Sequence, residues 1–106
     1  MIKITYVEFD GTSHTVDASP GMTLMEGAIN NDVPGIVAEC GGTCSCATCH
    51  VYVDKQWMEM TGEPGPQEDG MLEAVYDRHD NSRLSCQIDL TEEMDGLVVR
   101  LPELQL

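Results

Sequence analysis

The sequence has few basic residues and no long apolar run. Five lysine and arginine residues stand against nineteen aspartate and glutamate residues, so the formal net charge is −14 at pH 7. Such a charge repels nucleic acid and anionic membrane surfaces, and neither is expected as a partner. No apolar run approaches the roughly 18 residues that a membrane-spanning helix needs. The charge favours instead a partner protein with a basic surface.

Length and the first residues set two further expectations. With 106 residues and a hydrophobic content of 42%, the chain is expected to form a single domain over residues 1–106 with one modest core. Residues 2–7 have a strand pattern, and neither a signal peptide nor an Arg-rich transit segment precedes them. We therefore expect a cytoplasmic protein or a processed mature form.

Local patterns predict both strands and helices. Asp10-Gly11 is a turn signal between two alternating segments and predicts a β-hairpin. Thr23 and Glu26 have the spacing of a capping box and predict the start of a helix. The predicted elements, in chain order, are strands over 2–7 and 15–17, a helix over 23–31, a strand over 51–53, a helix over 67–76 and a strand over 97–101. This succession indicates an α+β fold, without fixing the topology.

The cysteines are odd in number and clustered. Four of the five fall in one loop, as Cys40, Cys44, Cys46 and Cys49, and Cys86 lies far downstream. A disulfide framework would use an even number of cysteines spread along the chain. Clustered cysteines in a reducing compartment indicate a metal centre, and a binuclear iron–sulfur core needs four thiolates. Three ligands from one loop and one from a distant segment can hold both irons.

Other centres with cysteine ligands compete with this interpretation. Zinc would accept four thiolates, or three with His50, but zinc sites usually present paired C-x2-C motifs and this chain has one. A Rieske centre requires two histidines, and only His50 is nearby. A thioredoxin-like motif at Cys46 and Cys49 would leave Cys40 and Cys86 unexplained. A zinc-stabilised interaction module therefore stays the alternative from another class; it would be colourless, whereas an iron–sulfur protein is red-brown.

The cysteine spacing resembles that of one ferredoxin family. Cys40-x5-Cys46-x2-Cys49-x36-Cys86 is similar to the adrenodoxin- and putidaredoxin-like, or vertebrate-type, [2Fe–2S] ferredoxins. Plant-type ferredoxins have four residues in the first gap, which would require a cysteine at Gly41. Further similar segments are 6–7, 10–12, 46–53, 70–73, 82–87 and 95–99. The resemblance therefore spans the whole chain.

The resemblance implies a fold, a cofactor and a function. It implies a β-grasp (ubiquitin-like) fold and one [2Fe–2S] cluster held by Cys40, Cys46, Cys49 and Cys86, with Cys44 not a ligand. It implies a monomeric one-electron carrier between an FAD-containing, NAD(P)H-dependent ferredoxin reductase and a bacterial cytochrome P450 monooxygenase. The alternative is a ferredoxin that supplies electrons for iron–sulfur cluster assembly; the segments 40–42 and 49–53 favour the first. The sequence offers no substrate pocket or acid–base pair, so a carrier and not an enzyme is expected.

Acidic residues are the candidates for partner docking. The predicted set is Glu39, Glu68, Asp69, Glu73 and Asp77. Asp69, Glu73 and Asp77 recur every fourth residue and would form one stripe on the predicted second helix. In the resembling family, acids on this helix meet basic residues of the reductase and the oxidase. The alternative is an ordinary solvated helix face, with Glu68 and Asp69 complementing the helix N-terminus.

Two other polar residues receive structural roles. His50 follows the last loop cysteine, and the resemblance implies that it ties the cluster loop to the body of the domain through hydrogen bonds. Arg83 lies three residues before Cys86 and is expected to form an ion pair with the acidic body of the protein.

Overall fold

The fold is a mixed sheet crossed by short helices. A computed structural model of the chain describes residues 1–33, 49–75 and 77–103. The strands are β1 (Ile2–Val7), β2 (Ser13–Ala18), β3 (His50–Val53), β4 (Ser82–Leu84) and β5 (Leu97–Arg100). The α-helices are α1 (Leu24–Asn30), α2 (Met58–Thr61) and α3 (Pro66–Leu72), and short 3-10 helices span Lys55–Trp57, Ser85–Gln87 and Glu92–Met94. This composition confirms the predicted α+β class.

The strands pair in the order β2-β1-β5-β3-β4. β1 and β5 are parallel, and the other neighbours are antiparallel. The last strand of the chain therefore lies in the middle of the sheet. None of the helices in the described ranges is long and apolar enough to cross a membrane.

The N-terminal hairpin forms as predicted. Ile2, Ile4 and Tyr6 alternate with more exposed residues in β1 and enter the core. Gly11 supplies a φ of +95°, which a tight turn between the two strands requires and most side chains disfavour. The return strand is longer than the predicted segment 15–17, because its pairing with β1 continues along the whole of β1.

The first helix lies across this hairpin. Its predicted capping box is confirmed: Glu26 N donates to Thr23 Oγ1 at 3.2 Å, and Thr23 N donates to Glu26 Oε1 at 3.0 Å. The buried Tyr6 hydroxyl donates to the Leu24 carbonyl at 2.7 Å. A Cβ added to Gly27 would lie 2.7 Å from that same hydroxyl oxygen, so the close approach of helix and sheet requires glycine there.

The second predicted helix is shorter than expected. The prediction was 67–76, but α3 spans Pro66–Leu72. It starts earlier because proline is well suited to the first turn of a helix. It ends earlier because the chain passes into turns, in which Ala74 N and Val75 N donate to the carbonyls of Met71 and Leu72. Farther along, Asp77 adopts a left-handed conformation with φ of +56°, and its carbonyl accepts a 2.6 Å hydrogen bond from the Tyr52 hydroxyl.

Candidate iron–sulfur site and docking surface

Two of the predicted ligands lie side by side in the interior. Cys49 and Cys86 are 0% and 6% exposed, and their Sγ atoms are 3.3 Å apart. A disulfide would bring the sulfurs to about 2.05 Å. Two thiolates on one tetrahedral metal ion with bonds of about 2.3 Å would lie roughly 3.8 Å apart. The separation excludes a disulfide and is within about 0.5 Å of the spacing of two thiolates on one iron, and the soft sulfur donors suit an iron–sulfur core.

Ser85 fixes the relative position of these two cysteines. Its backbone N–H and its hydroxyl both donate to the Cys49 carbonyl, each at 2.9 Å. Ser85 is fully buried, so neither bond competes with water. The register of β3 and β4 places Cys49 beside the 3-10 helix Ser85–Gln87, because His50 pairs with Leu84. Sequence reasoning missed Ser85, since nothing but the fold distinguishes it from other small loop residues.

Gln87 contacts the sulfur of the last ligand. Its side-chain amide Nε2 lies 3.5 Å from Cys86 Sγ, within the range of an N–H···S hydrogen bond. Such a bond stabilises the more negative state of a thiolate-bound cluster and raises its reduction potential. Gln87 itself is exposed, so the buried ligand lies directly beneath the surface.

The remaining cysteines fall outside the described residues. Cys40, Cys44 and Cys46 lie there, as does the candidate docking residue Glu39. The structure thus brings together two of the four predicted ligands. The assignment of the other two stays a prediction, as does the exclusion of Cys44.

His50 ties the end of the cysteine loop to β4, as predicted. It is fully buried, and its Nε2 shares a 2.8 Å hydrogen bond with Ser82 Oγ, which also accepts from the His79 N–H at 2.8 Å. Its ring meets Tyr52 edge-on, with centroids 4.7 Å apart. Burial lowers the pKa of His50 to about 4, because the protein interior disfavours the charged imidazolium. The ring is therefore neutral at physiological pH.

Glu68 is not a docking residue, contrary to the prediction. It is 4% exposed, and its carboxylate accepts from Arg83 Nε at 2.7 Å, from Arg83 Nη2 at 3.1 Å and from Leu84 N at 2.9 Å. Arg83 also donates through Nη1 to the carbonyls of Thr61 and Gly62, at 2.8 and 2.9 Å. The ion pair predicted for Arg83 is confirmed. It withdraws Glu68 from the surface and joins α3 to β4.

Asp69, Glu73 and Asp77 are exposed but do not form a helical stripe. Asp69 is in α3, Glu73 caps its C-terminus, and Asp77 lies in the following turn, so the predicted four-residue repeat on one helix is wrong. Asp69 pairs with Arg78, whose Nη2 lies 2.5 Å from Asp69 Oδ1. Asp77 pairs with His79, with Oδ2 and Nε2 3.1 Å apart. We call Asp69, Glu73 and Asp77 the acidic face.

Comparison with known proteins agrees with this site. The family model "2Fe-2S iron-sulfur cluster binding domain" matches residues 7–91. Putidaredoxin from Pseudomonas putida is 45% identical over 106 residues, covering 99% of each chain.

Solved structures agree as well. A crystal structure of a ferredoxin from Rhodopseudomonas palustris HaA2 has a TM-score of 0.95 and 48% identity, and covers 98% of this chain and 99% of its own. Putidaredoxin in its covalent complex with putidaredoxin reductase has a TM-score of 0.90 and 46% identity, over 94% of this chain and 97% of its own. These matches confirm the β-grasp fold. The chain therefore belongs to the vertebrate-type 2Fe-2S ferredoxins, and it is an electron carrier with one [2Fe–2S] cluster rather than an enzyme.

Proposed function

We propose that this ferredoxin carries single electrons from an FAD-containing, NAD(P)H-dependent ferredoxin reductase to a bacterial cytochrome P450 monooxygenase. The observation that carries the proposal is its 45% identity to putidaredoxin along nearly the whole of both chains. Putidaredoxin itself has been solved in complex with its reductase. The segments 40–42 and 49–53 favour this role over electron supply to iron–sulfur cluster assembly. Monomeric state and a cytoplasmic location stay predictions.

The proposed ligands are Cys40, Cys46, Cys49 and Cys86. When bound, a [2Fe–2S] cluster takes up and releases one electron at a time. The 3.3 Å between the sulfurs of Cys49 and Cys86 supports their binding to the same iron. Cys86 Sγ contacts the side chain of the exposed residue Gln87, so this ligand lies close to the protein surface. The neutral His50 holds the adjacent backbone without adding a charge.

The proposed docking surface is the acidic face together with Glu39. A carrier must bind two partners in turn and leave each quickly. Electrostatic attraction raises the association rate without a large dry interface, so it suits this requirement. The net charge of −14 supplies the long-range field, and the exposed carboxylates of Asp69, Glu73 and Asp77 give it a local target.

Reconstitution tests the proposal. The purified holoprotein is mixed with NAD(P)H and putidaredoxin reductase, and reduction is followed by the loss of visible absorbance. The reduced carrier is then offered to a panel of bacterial cytochromes P450 and, in parallel, to a cluster-assembly scaffold with its cysteine desulfurase. We expect rapid reduction and product formation by at least one P450. Support of cluster assembly with no P450 turnover would instead establish the alternative role.

A further inference from the structure

Arg78 places a positive charge inside the acidic face. Its Nη2 lies 2.5 Å from Asp69 Oδ1, and its Nη1 lies 3.4 Å from the Asp69 carbonyl oxygen. The Arg78 and Asp69 side chains are 35% and 54% exposed. In the neighbouring Arg83–Glu68 pair the side chains are only 7% and 4% exposed. The Arg78 pair is thus open to solvent and to a partner, whereas the Arg83 pair is sealed within the fold.

The Arg78–Asp69 pair lies on the wall of a surface groove. The groove has a volume of about 580 Å³, and residues 61–64 and 78–83 form most of its lining. Glu63 and Asp80 also line it and are exposed. Arg83 lines it too, but its guanidinium is already held by Glu68 and two carbonyls. Arg78 is therefore the permanently charged cation that an approaching basic surface meets at this groove.

The pair affects docking in two ways. A partner lysine or arginine that approaches Asp69 Oδ1 must displace the Arg78 guanidinium, which already contacts that atom. The same guanidinium also repels partner cations that approach the neighbouring carboxylates. Exposed ion pairs are weak, so the right partner can displace Arg78, whereas a partner without a well-placed cation gains nothing from Asp69.

We infer that Arg78 masks Asp69 in the unbound carrier and competes with the partner's basic residues for it. The contact slows association with basic surfaces in general and favours partners whose cation replaces the guanidinium. This inference rests on the docking surface proposed above. Its test can nevertheless be separated from the identity of the physiological partners, because any basic redox protein can serve as the probe.

Mitochondrial cytochrome c, a strongly basic haem protein, is a suitable probe. The ferredoxin is reduced with dithionite, freed of excess reductant and mixed with oxidised cytochrome c in a stopped-flow instrument. One electron leaves the reduced ferredoxin, which returns to its oxidised form, and the haem iron passes from Fe³⁺ to Fe²⁺. Haem absorbance gives the second-order rate constant, normalised to the cluster content of each variant.

Arg78→Gln should raise this rate constant roughly two- to fivefold at low ionic strength, because it exposes Asp69 and removes a repulsive charge. The gain should fade as salt shortens the Debye length from about 10 Å at 0.1 M to about 3 Å at 1 M. Lys3→Gln is the matched control: it removes an exposed cation from an ion pair with Asp17 on the β1–β2 edge of the sheet. Lys3→Gln changes the net charge as much as Arg78→Gln does, and we expect it to raise the rate constant by less than about half as much.

A double-mutant cycle separates masking from a general field effect. If Arg78 masks Asp69, Asp69→Asn should slow the wild type little but remove most of the gain in Arg78→Gln. The inference would be overturned if Asp69→Asn lowered the rate constant by the same factor in the wild type and in Arg78→Gln. It would also be overturned if Arg78→Gln and Lys3→Gln raised the rate constant equally. A slower Arg78→Gln would show instead that Arg78 binds the partner directly. If the wild type reduced no cytochrome c, the proposed docking of basic redox partners at the acidic face would itself be wrong, independently of the role of Arg78.

Discussion

Replacing Arg83 with methionine would test the buried ion pair that holds α3 on β4. Methionine keeps much of the side-chain length but removes the charge and every donor. Glu68 would lose its two bonds from Arg83 and keep the one from Leu84 N. The carbonyls of Thr61 and Gly62 would lose their bonds to Nη1 as well. One carboxylate would then remain buried without its cation.

The expected loss of stability is large. Removing one partner of a buried ion pair costs about 3–5 kcal/mol, because the remaining charge cannot regain its hydration. Proteins of this size have unfolding free energies of roughly 5–15 kcal/mol, so about a fifth or more of the stability is at stake. At about 4–8 °C per kcal/mol, the midpoint of thermal unfolding should fall by roughly 12–40 °C.

The assay compares urea unfolding of the holoprotein, followed by far-UV circular dichroism and by visible absorbance. Arg78→Gln is the matched control, because it breaks an exposed pair that contributes at most about 1 kcal/mol. Arg83→Met with Glu68→Leu should recover most of the loss, since no buried charge remains. A deficit below about 1 kcal/mol, or a double variant weaker than the single one, would refute the reasoning.

Four other predictions concern docking, potential, pH and ligation. Glu73→Lys should lower the rate constant for reduction by the reductase in stopped flow, by a factor that shrinks at high salt and exceeds that of Glu93→Lys at another exposed position. Equal decreases for the two variants would leave the acidic face as an ordinary solvated surface. Gln87→Leu should lower the reduction potential by about 20–40 mV in a redox titration, as a hydrogen bond of up to about 1 kcal/mol is lost; an unchanged potential would exclude the N–H···S bond. Because the pKa of His50 is lowered to about 4, the unfolded chain binds a proton between about pH 6.5 and pH 4 and the folded chain does not. The free energy of unfolding of the wild type should therefore fall by up to about 3 kcal/mol over this range. Urea titrations of His50→Gln should lack this pH dependence. Cys44→Ser should keep about two irons and two sulfides per chain and an unchanged visible spectrum, whereas serine at any proposed ligand should not; the reverse pattern would mean that the ligand register is wrong.

Local signals predicted the parts of this fold that depend on neighbours in sequence. The capping box of Thr23 and Glu26 and the glycine turn of the first hairpin act over a few residues, so they can be identified without the structure. The parallel pairing of β1 with β5 depends on segments about 90 residues apart, and no local pattern reports it.

The errors in the docking prediction have the same origin. In the sequence Glu68 resembles a surface acid, because its partner Arg83 is fifteen residues away. The segment after α3 is held by the Tyr52 hydroxyl of β3, which donates to the Asp77 carbonyl from 25 residues away in sequence. The spacing of the cysteines suggested the ligands through family resemblance, but only the paired strands show that Cys49 and Cys86 meet and that Ser85 holds them together.

The position of β5 has a consequence for biosynthesis. β5 is the last of the described strands in chain order, yet it joins the β1–β2 hairpin to the β3–β4 pair that carries Cys49 and Cys86. A chain in which residues 97–100 have not yet paired can form the two halves but cannot close the sheet between them. Contacts this distant in sequence form slowly. We therefore expect the cluster to be inserted late in folding, after residues 97–100 have joined the two halves of the sheet.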